Sequence, residues 1–142
     1  MMKAHETRLS VRFREVDSFD VVWHGHYIAY FEDGRLDLCN RFGLSPEAIK
    51  QLGYFAPVVD MKCRIRASAR YADRLIIQTS VKPSDKAMLV FTYAIIREQD
   101  RQTIAEGETA HVLLTLERKM LYEVPEELKT RISSMLSYLD AA

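Results

Sequence analysis

Between residues 55 and 116 apolar and polar side chains alternate almost without interruption, and the alternation breaks only where turn-forming residues stand. A period of two is the mark of a strand with one covered face, so this stretch must build a sheet. Phe55, Pro57, Val59, Met61, Cys63, Ile65, Ala67, Ala69 and Tyr71 fall on one side of a first long strand, and Asp60, Lys62, Arg64, Arg66, Ser68 and Arg70 fall on the other. Leu75 to Lys82 follows, turned at Pro83, Ser84 and Asp85; Ala87 to Arg97 comes next, turned near Asp100; Thr103 to Leu116 is the last. Short turns join antiparallel neighbours, which makes this a meander rather than a parallel sheet. Leu9 to Val16 adds a strand ahead of it, with Leu9, Val11 and Phe13 on one face.

Only one long segment has the other period. Tyr27, Phe31, Gly34, Leu38 and Phe42 recur every three or four residues, the apolar stripe of a helix that ends near Gly43, a residue suited to a left-handed cap. Gly34 inside the stripe costs about 1 kcal/mol against alanine, which implies close approach of the helix to a neighbouring backbone. Ser45 and Pro46 open a short helix to Leu52, stopped by Gly53. Pro125, Glu126 and Glu127 open a terminal helix with the stripe Leu128, Ile132, Met135 and Leu139. The order predicts an α+β domain over residues 1–142, with an antiparallel sheet and one long helix covering a face of it. Met88, Val90, Ala94 and Ile96 oppose Leu89, Phe91, Tyr93 and Ile95 on one strand, so its second face also needs cover, and an oligomer supplies it.

A chain of 142 residues has room for one such domain and can bury about two-thirds of its surface. Twenty basic residues balance twenty acidic ones, which argues against a general nucleic-acid or anionic-membrane binder. Cys39 and Cys63 are too few and too far apart for a metal knuckle or redox pair and read as reduced thiols. The longest apolar stretch, Met88 to Ile96, is too short to span a bilayer, so a soluble cytoplasmic protein is expected.

Chemistry concentrates between the first strand and the long helix, where Asp17, Asp20, His24 and His26 fall within ten residues. A helix start carries unpaired N–H groups that attract negative charge. A carboxylate beside them could attack a carbonyl, or deprotonate water, while those donors hold the developing oxyanion. The same four side chains could instead ligate zinc or iron, although their spacing fits no defined metal motif. Glu32 is a rival carboxylate, but it lies eight residues past His24, about 12 Å along a helix.

The run from Phe13 to Tyr27, continued by Tyr30, Phe31 and Glu32, resembles the signature of the 4-hydroxybenzoyl-coenzyme A thioesterase branch of the hotdog-fold superfamily. The segment from Ser68 to Leu75 resembles that family's second motif. The resemblance implies a hotdog fold, in which an antiparallel sheet wraps a long central helix. It also implies hydrolysis of an acyl-coenzyme A thioester, with no cofactor and no metal. On this reading Asp17 is the catalytic nucleophile or general base, His24 belongs to the site, and a backbone N–H near His24 polarises the thioester carbonyl. Val22, Trp23, Gly25, Tyr27, Ser68 and Arg70 are expected to border the substrate, and the basic face of Lys62, Arg64, Arg66 and Arg70 to attract the phosphates of coenzyme A. Asp20 replaces a family glycine, His26 an asparagine and Ser68 a proline. Aspartate tolerates a left-handed turn, but its carboxyl beside Asp17 would raise the pair's proton affinity. The alternatives are a non-catalytic acyl-thioester-binding protein and, more distantly, a hotdog dehydratase. The family implies a homodimer or homotetramer whose acyl site lies between subunits, completed by the partner's strand around Ile65 to Tyr71.

Overall fold

The computed structural model describes residues 3–84 and 86–140, so the turn residue Asp85 lies outside the described residues. In chain order the elements are β1 (His5–Ser10), α1 (Gly25–Asn40), α2 (Pro46–Gln51), β2 (Tyr54–Phe55), β3 (Val58–Ile65), β4 (Arg74–Lys82), β5 (Met88–Arg97), β6 (Thr103–Val112), β7 (Leu114–Thr115) and α3 (Glu126–Asp140). The main sheet runs β1-β4-β5-β6-β3, antiparallel throughout, and β2 pairs with β7 in a small second sheet.

Helix α1 lies on the face of the sheet formed by Leu75, Ile77 and Thr79 of β4 and Leu89, Phe91, Tyr93 and Ile95 of β5, all of them buried. Tyr27, Tyr30, Phe31, Gly34, Leu38 and Cys39 form its buried face, as the stripe required. The Phe31 ring stacks on Tyr93 with centroids 4.6 Å apart. Gly34 sits over β4, and a β-carbon there would run into the side chains of Ile77 and Thr79. The close approach is therefore to side chains, not to backbone. The helix ends where the Leu44 N–H returns to the Cys39 carbonyl and Gly43 takes a φ of +67°. Ser45 caps α2 by accepting from the Ala48 N–H at 3.1 Å. Helix α3 buries Leu128, Met135 and Leu139 in the same core.

Three of the expected strands differ from the sequence expectation. β1 stops at Ser10, and Phe13–Glu15 forms a 3-10 turn that leaves Phe13 exposed. Glu15 is the cause, because its carboxylate accepts from the Arg12 N–H at 2.8 Å and pairs with the Arg12 guanidinium at 3.1 Å, pulling the chain out of extension. The long strand expected from Phe55 to Tyr71 divides into β2 and β3 and ends at Ile65, where the Arg66 and Ala67 N–H groups both turn onto the Ile104 carbonyl. The last strand is likewise split, into β6 and β7. β3 is a sheet edge, and every residue along it is exposed, because α1 packs mainly on β4, β1 and β5.

Candidate active site

The loop joining β1 to α1 is held on both sides. A bridge between Val16 and Val22 closes its neck, with the Asp17 N–H donating to the Val21 carbonyl at 2.9 Å. Asp20 makes the reversal in the left-handed region, φ 63°, the tolerance for which aspartate is suited where a glycine would otherwise serve. The Asp17 carboxylate accepts from the Phe19 N–H through Oδ1 at 2.8 Å, while Oδ2 has no hydrogen bond among the described residues. Phe19 itself is exposed at the tip.

Beyond the neck, three contacts fix the start of α1. The Val22 N–H donates to the Ala69 carbonyl at 2.8 Å, the Ala69 N–H donates to the Tyr27 hydroxyl at 3.1 Å, and the Trp23 N–H donates to the Glu15 carbonyl at 2.9 Å. The first turn of α1 then consumes the His26 and Tyr27 N–H groups on the carbonyls of Trp23 and His24. The N–H groups of His24 and Gly25 meet no acceptor among the described residues. They are the free donors of a helix N-terminus, and their half of the helix dipole favours negative charge. The His24 side chain does not cap the helix. Its ring lies against Trp23 at 4.9 Å, and His26 meets the same indole edge-on at 5.5 Å. Gly25 is confined by that indole, since a β-carbon would strike the ring.

The expected site residues therefore divide by position. Asp17 and Gly25 are half-buried and Trp23 and His24 exposed, Asp17 on the loop and the other three where it enters α1. Val22 and Tyr27 are buried, Val22 in the core and Tyr27 with its hydroxyl on Ala69. Burial pushes the Tyr27 hydroxyl up, eased by the Ala69 N–H, and Cys63, Arg97 and Asp17 all act on it electrostatically. Ser68 and Arg70 line an open polar hollow with Ala67, Asp73 and Arg97. There Arg97 Nη1 donates to the Ser68 carbonyl at 3.2 Å and to Asp73 Oδ2 at 3.3 Å, and the Arg70 N–H donates to the same Asp73 oxygen at 2.9 Å. Asp17, Asp20, His24 and His26 do not converge as ligands, for among the described residues no three His, Cys, Asp or Glu side chains form a metal-sized cluster.

Two supporting residues escape a reading of the sequence. Glu15 is buried, and its Oε1 accepts from the Tyr30 hydroxyl at 3.0 Å as well as from the Arg12 N–H. Burial alone would raise its carboxyl, but the Arg12 N–H, the Tyr30 hydroxyl and the Arg12 guanidinium together hold it below the usual 4.5. The buried face of α1 is thereby tied to the turn that precedes Asp17. Both stand in the run from Phe13 to Glu32, but nothing local in it signals that the Glu15 carboxylate and the Tyr30 hydroxyl meet.

A model of the thioesterase-like superfamily matches residues 11–132, which takes in the loop, α1, α2 and every strand except β1. The chain belongs to the thioesterase-like superfamily. The acyl-CoA thioester hydrolase YbgC of Escherichia coli is 29% identical over 90 residues, 63% of this chain and 67% of that one. Among solved structures, a DHNA-CoA thioesterase from Staphylococcus aureus superposes with a TM-score of 0.83 at 23% identity, covering 96% of this chain and 93% of that one. The hypothetical protein TT1821 from Thermus thermophilus does so with a TM-score of 0.79 at 32% identity, covering 94% and 98%. The shared fold is the hotdog arrangement that the resemblance implied, a sheet wrapped on one helix. At the level of this family the activity is thioester hydrolysis. Among the described residues no helix is long and apolar enough to cross a membrane.

Proposed function

We propose that this chain hydrolyses acyl-coenzyme A thioesters, with Asp17 as nucleophile or as general base on water. The carbonyl oxygen takes its charge to the His24 and Gly25 N–H groups, the carbon–sulfur bond breaks, and coenzyme A leaves as the thiol while water supplies the acid's oxygen. The observation that carries this reading is the presence, on one short connection, of a carboxylate with an unengaged oxygen and, where that connection enters α1, of two unengaged N–H groups. Preorganised donors at such a place stabilise developing charge without reorganisation. The half-exposed Trp23 and the polar hollow at Ser68 and Arg70 border the thioester. Lys62 and Arg64 project from the opposite face of β3 to Met61 and Cys63 and offer charge to the phosphates.

The working unit on this reading is a homodimer or a dimer of dimers. β3 supports it, being an open edge whose Val59, Met61 and Ile65 stand exposed where a partner's strand can pair. The site then lies between subunits, and turnover per subunit falls as dilution separates them.

Thiol release from a panel of acyl-coenzyme A esters tests the activity. Asp17→Asn is nearly isosteric yet can neither attack nor take a proton, so turnover is expected to fall by about a hundredfold or more while the melting temperature holds. Near-native turnover in that variant overturns the assignment.

A further inference from the structure

A cavity of about 250 Å³ opens between the C-terminal half of α1, helix α2, strand β2 and the inner faces of β5 and β6. Leu36, Cys39, Leu44, Ile49, Phe55 and Leu89 are among its walls. Its two polar side chains are both turned to the protein. Arg35 Nη1 donates to the Tyr93 hydroxyl at 3.3 Å, and its Nη2 lies 3.5 Å from Glu32. His111 bonds through Nδ1 to the Ala56 carbonyl and through Nε2 to the Thr109 hydroxyl, each at 3.0 Å. Most of what faces the space is apolar.

The cavity and the candidate active site lie at opposite ends of one apolar track. At one end of α1 the Tyr27 hydroxyl holds Ala69, and at the other Leu36 and Val58 line the cavity together, so α1 runs antiparallel to β3. Between these ends the helix side of β3 exposes Met61, Cys63 and Ile65, which α1 does not cover. From Gly25 to Arg35 the helix rises about 15 Å, which an extended alkyl chain covers in about twelve carbons. An apolar protein cavity of about 150 Å³ already accommodates a benzene ring, so this one has space for several further methylenes.

We propose that the cavity receives the far end of a long acyl chain, so that the preferred substrates are fatty acyl thioesters of about fourteen to eighteen carbons rather than short or aryl ones. The proposal rests on the thioesterase reading for its substrate but not for its test. Calorimetric binding of non-hydrolysable S-hexyl, S-dodecyl and S-hexadecyl coenzyme A thioethers, kept below their micelle concentrations, reads the pocket without turnover. Affinity is expected to climb from dodecyl to hexadecyl by up to about fourfold per methylene. Cys39→Phe, which fills the cavity from α1, should cut the hexadecyl-to-hexyl affinity ratio at least tenfold. Ala56→Leu narrows the same space from the loop before β3 and should act alike, with thermal melting used to show that each variant folds. Equal binding of hexyl and hexadecyl thioethers, or a ratio unchanged in both folded variants, overturns the proposal. Hydrolysis of hexanoyl, benzoyl and palmitoyl esters run beside it separates the two readings. Preference for benzoyl or hexanoyl sinks the long-chain pocket alone, and absence of thiol release from every ester sinks the hydrolase reading while the thioether series still decides the pocket.

Discussion

Acidification should cost this protein stability through His111. The side chain is buried on the helix side of β6, its ring edge-on to Phe91 at 5.3 Å, in a chain of hydrogen bonds with a fixed direction. Arg35 can only donate, so the Tyr93 hydroxyl accepts from it and gives its own proton to Thr109 across 2.6 Å. Thr109 in turn donates to His111 Nε2, and the Nδ1 proton goes to the Ala56 carbonyl. A second proton on the ring would face the Thr109 oxygen, which would then accept from both neighbours and lose the acceptor for its own proton. Burial, together with the Arg35 charge and against the pull of the Ala56 carbonyl, brings the imidazole down from 6.5 to about 4. The unfolded chain therefore binds the proton first. Stability from the neutral ring is complete above about pH 6.5 and is lost as the pH falls toward 4, by up to about 3 kcal/mol at 1.4 kcal/mol per pH unit.

The assay is urea unfolding of wild type and His111→Gln at intervals from pH 7.5 to 4, at one protein concentration. The variant is less stable at neutral pH, because it loses ring packing and one or both hydrogen bonds. Carboxylates that titrate in the same range do so in both proteins and cancel in the difference. The wild-type advantage is expected to shrink by about 2 to 3 kcal/mol across that window. A difference curve flat to within about 1 kcal/mol would refute the directional network, since a ring free to protonate in the fold has no such dependence.

Gly34→Ala should destabilise by about 1 to 2 kcal/mol in denaturant melts, because the clash with Ile77 and Thr79 outweighs the gain in helix propensity; a stabilised variant would mean that β4 yields easily. Asp20→Gly removes a left-handed non-glycine residue and is expected to raise stability by about 1 kcal/mol with turnover equal or higher; lost turnover would give the Asp20 carboxylate a role of its own. Tyr30→Phe withdraws a buried donor from Glu15 and should cost about 1 to 3 kcal/mol by thermal or urea melting, with a smaller loss of turnover than Asp17→Asn. If Tyr30→Phe matched Asp17→Asn in activity, the Glu15 anchor would be as important to the reaction as the proposed base.

Periodicity made the helices and the sheet legible because each rests on local rules. The α1 stripe, the Ser45 cap, the left-handed Gly43 and the α3 stripe are all decided by residues a few positions apart. The strand ends were not legible for the same reason. Alternation continues through Phe13 and through Ala67 to Tyr71, but whether a strand continues depends on a partner, and there the partners are Glu15, Ile104 and Tyr27.

The polar chain through Arg35, Tyr93, Thr109 and His111 carried no sequence signal, since it draws on α1, β5 and β6 and exists only once their register places those side chains together. The candidate site shows the same division. A motif drew attention to Asp17 and His24, yet their geometry comes from contacts distant in sequence: Ala69 holding both Val22 and Tyr27, and Tyr30 holding Glu15. Ala69 belongs to the segment that continues from the exposed β3 edge, so a partner strand paired there would bear directly on the residues that set the start of α1. That connection gives a physical reason for expecting catalysis and association to weaken together, independent of whether a partner side chain enters the site. Edge pairing would stiffen the support on which the Asp17 carboxylate and the two N–H donors depend.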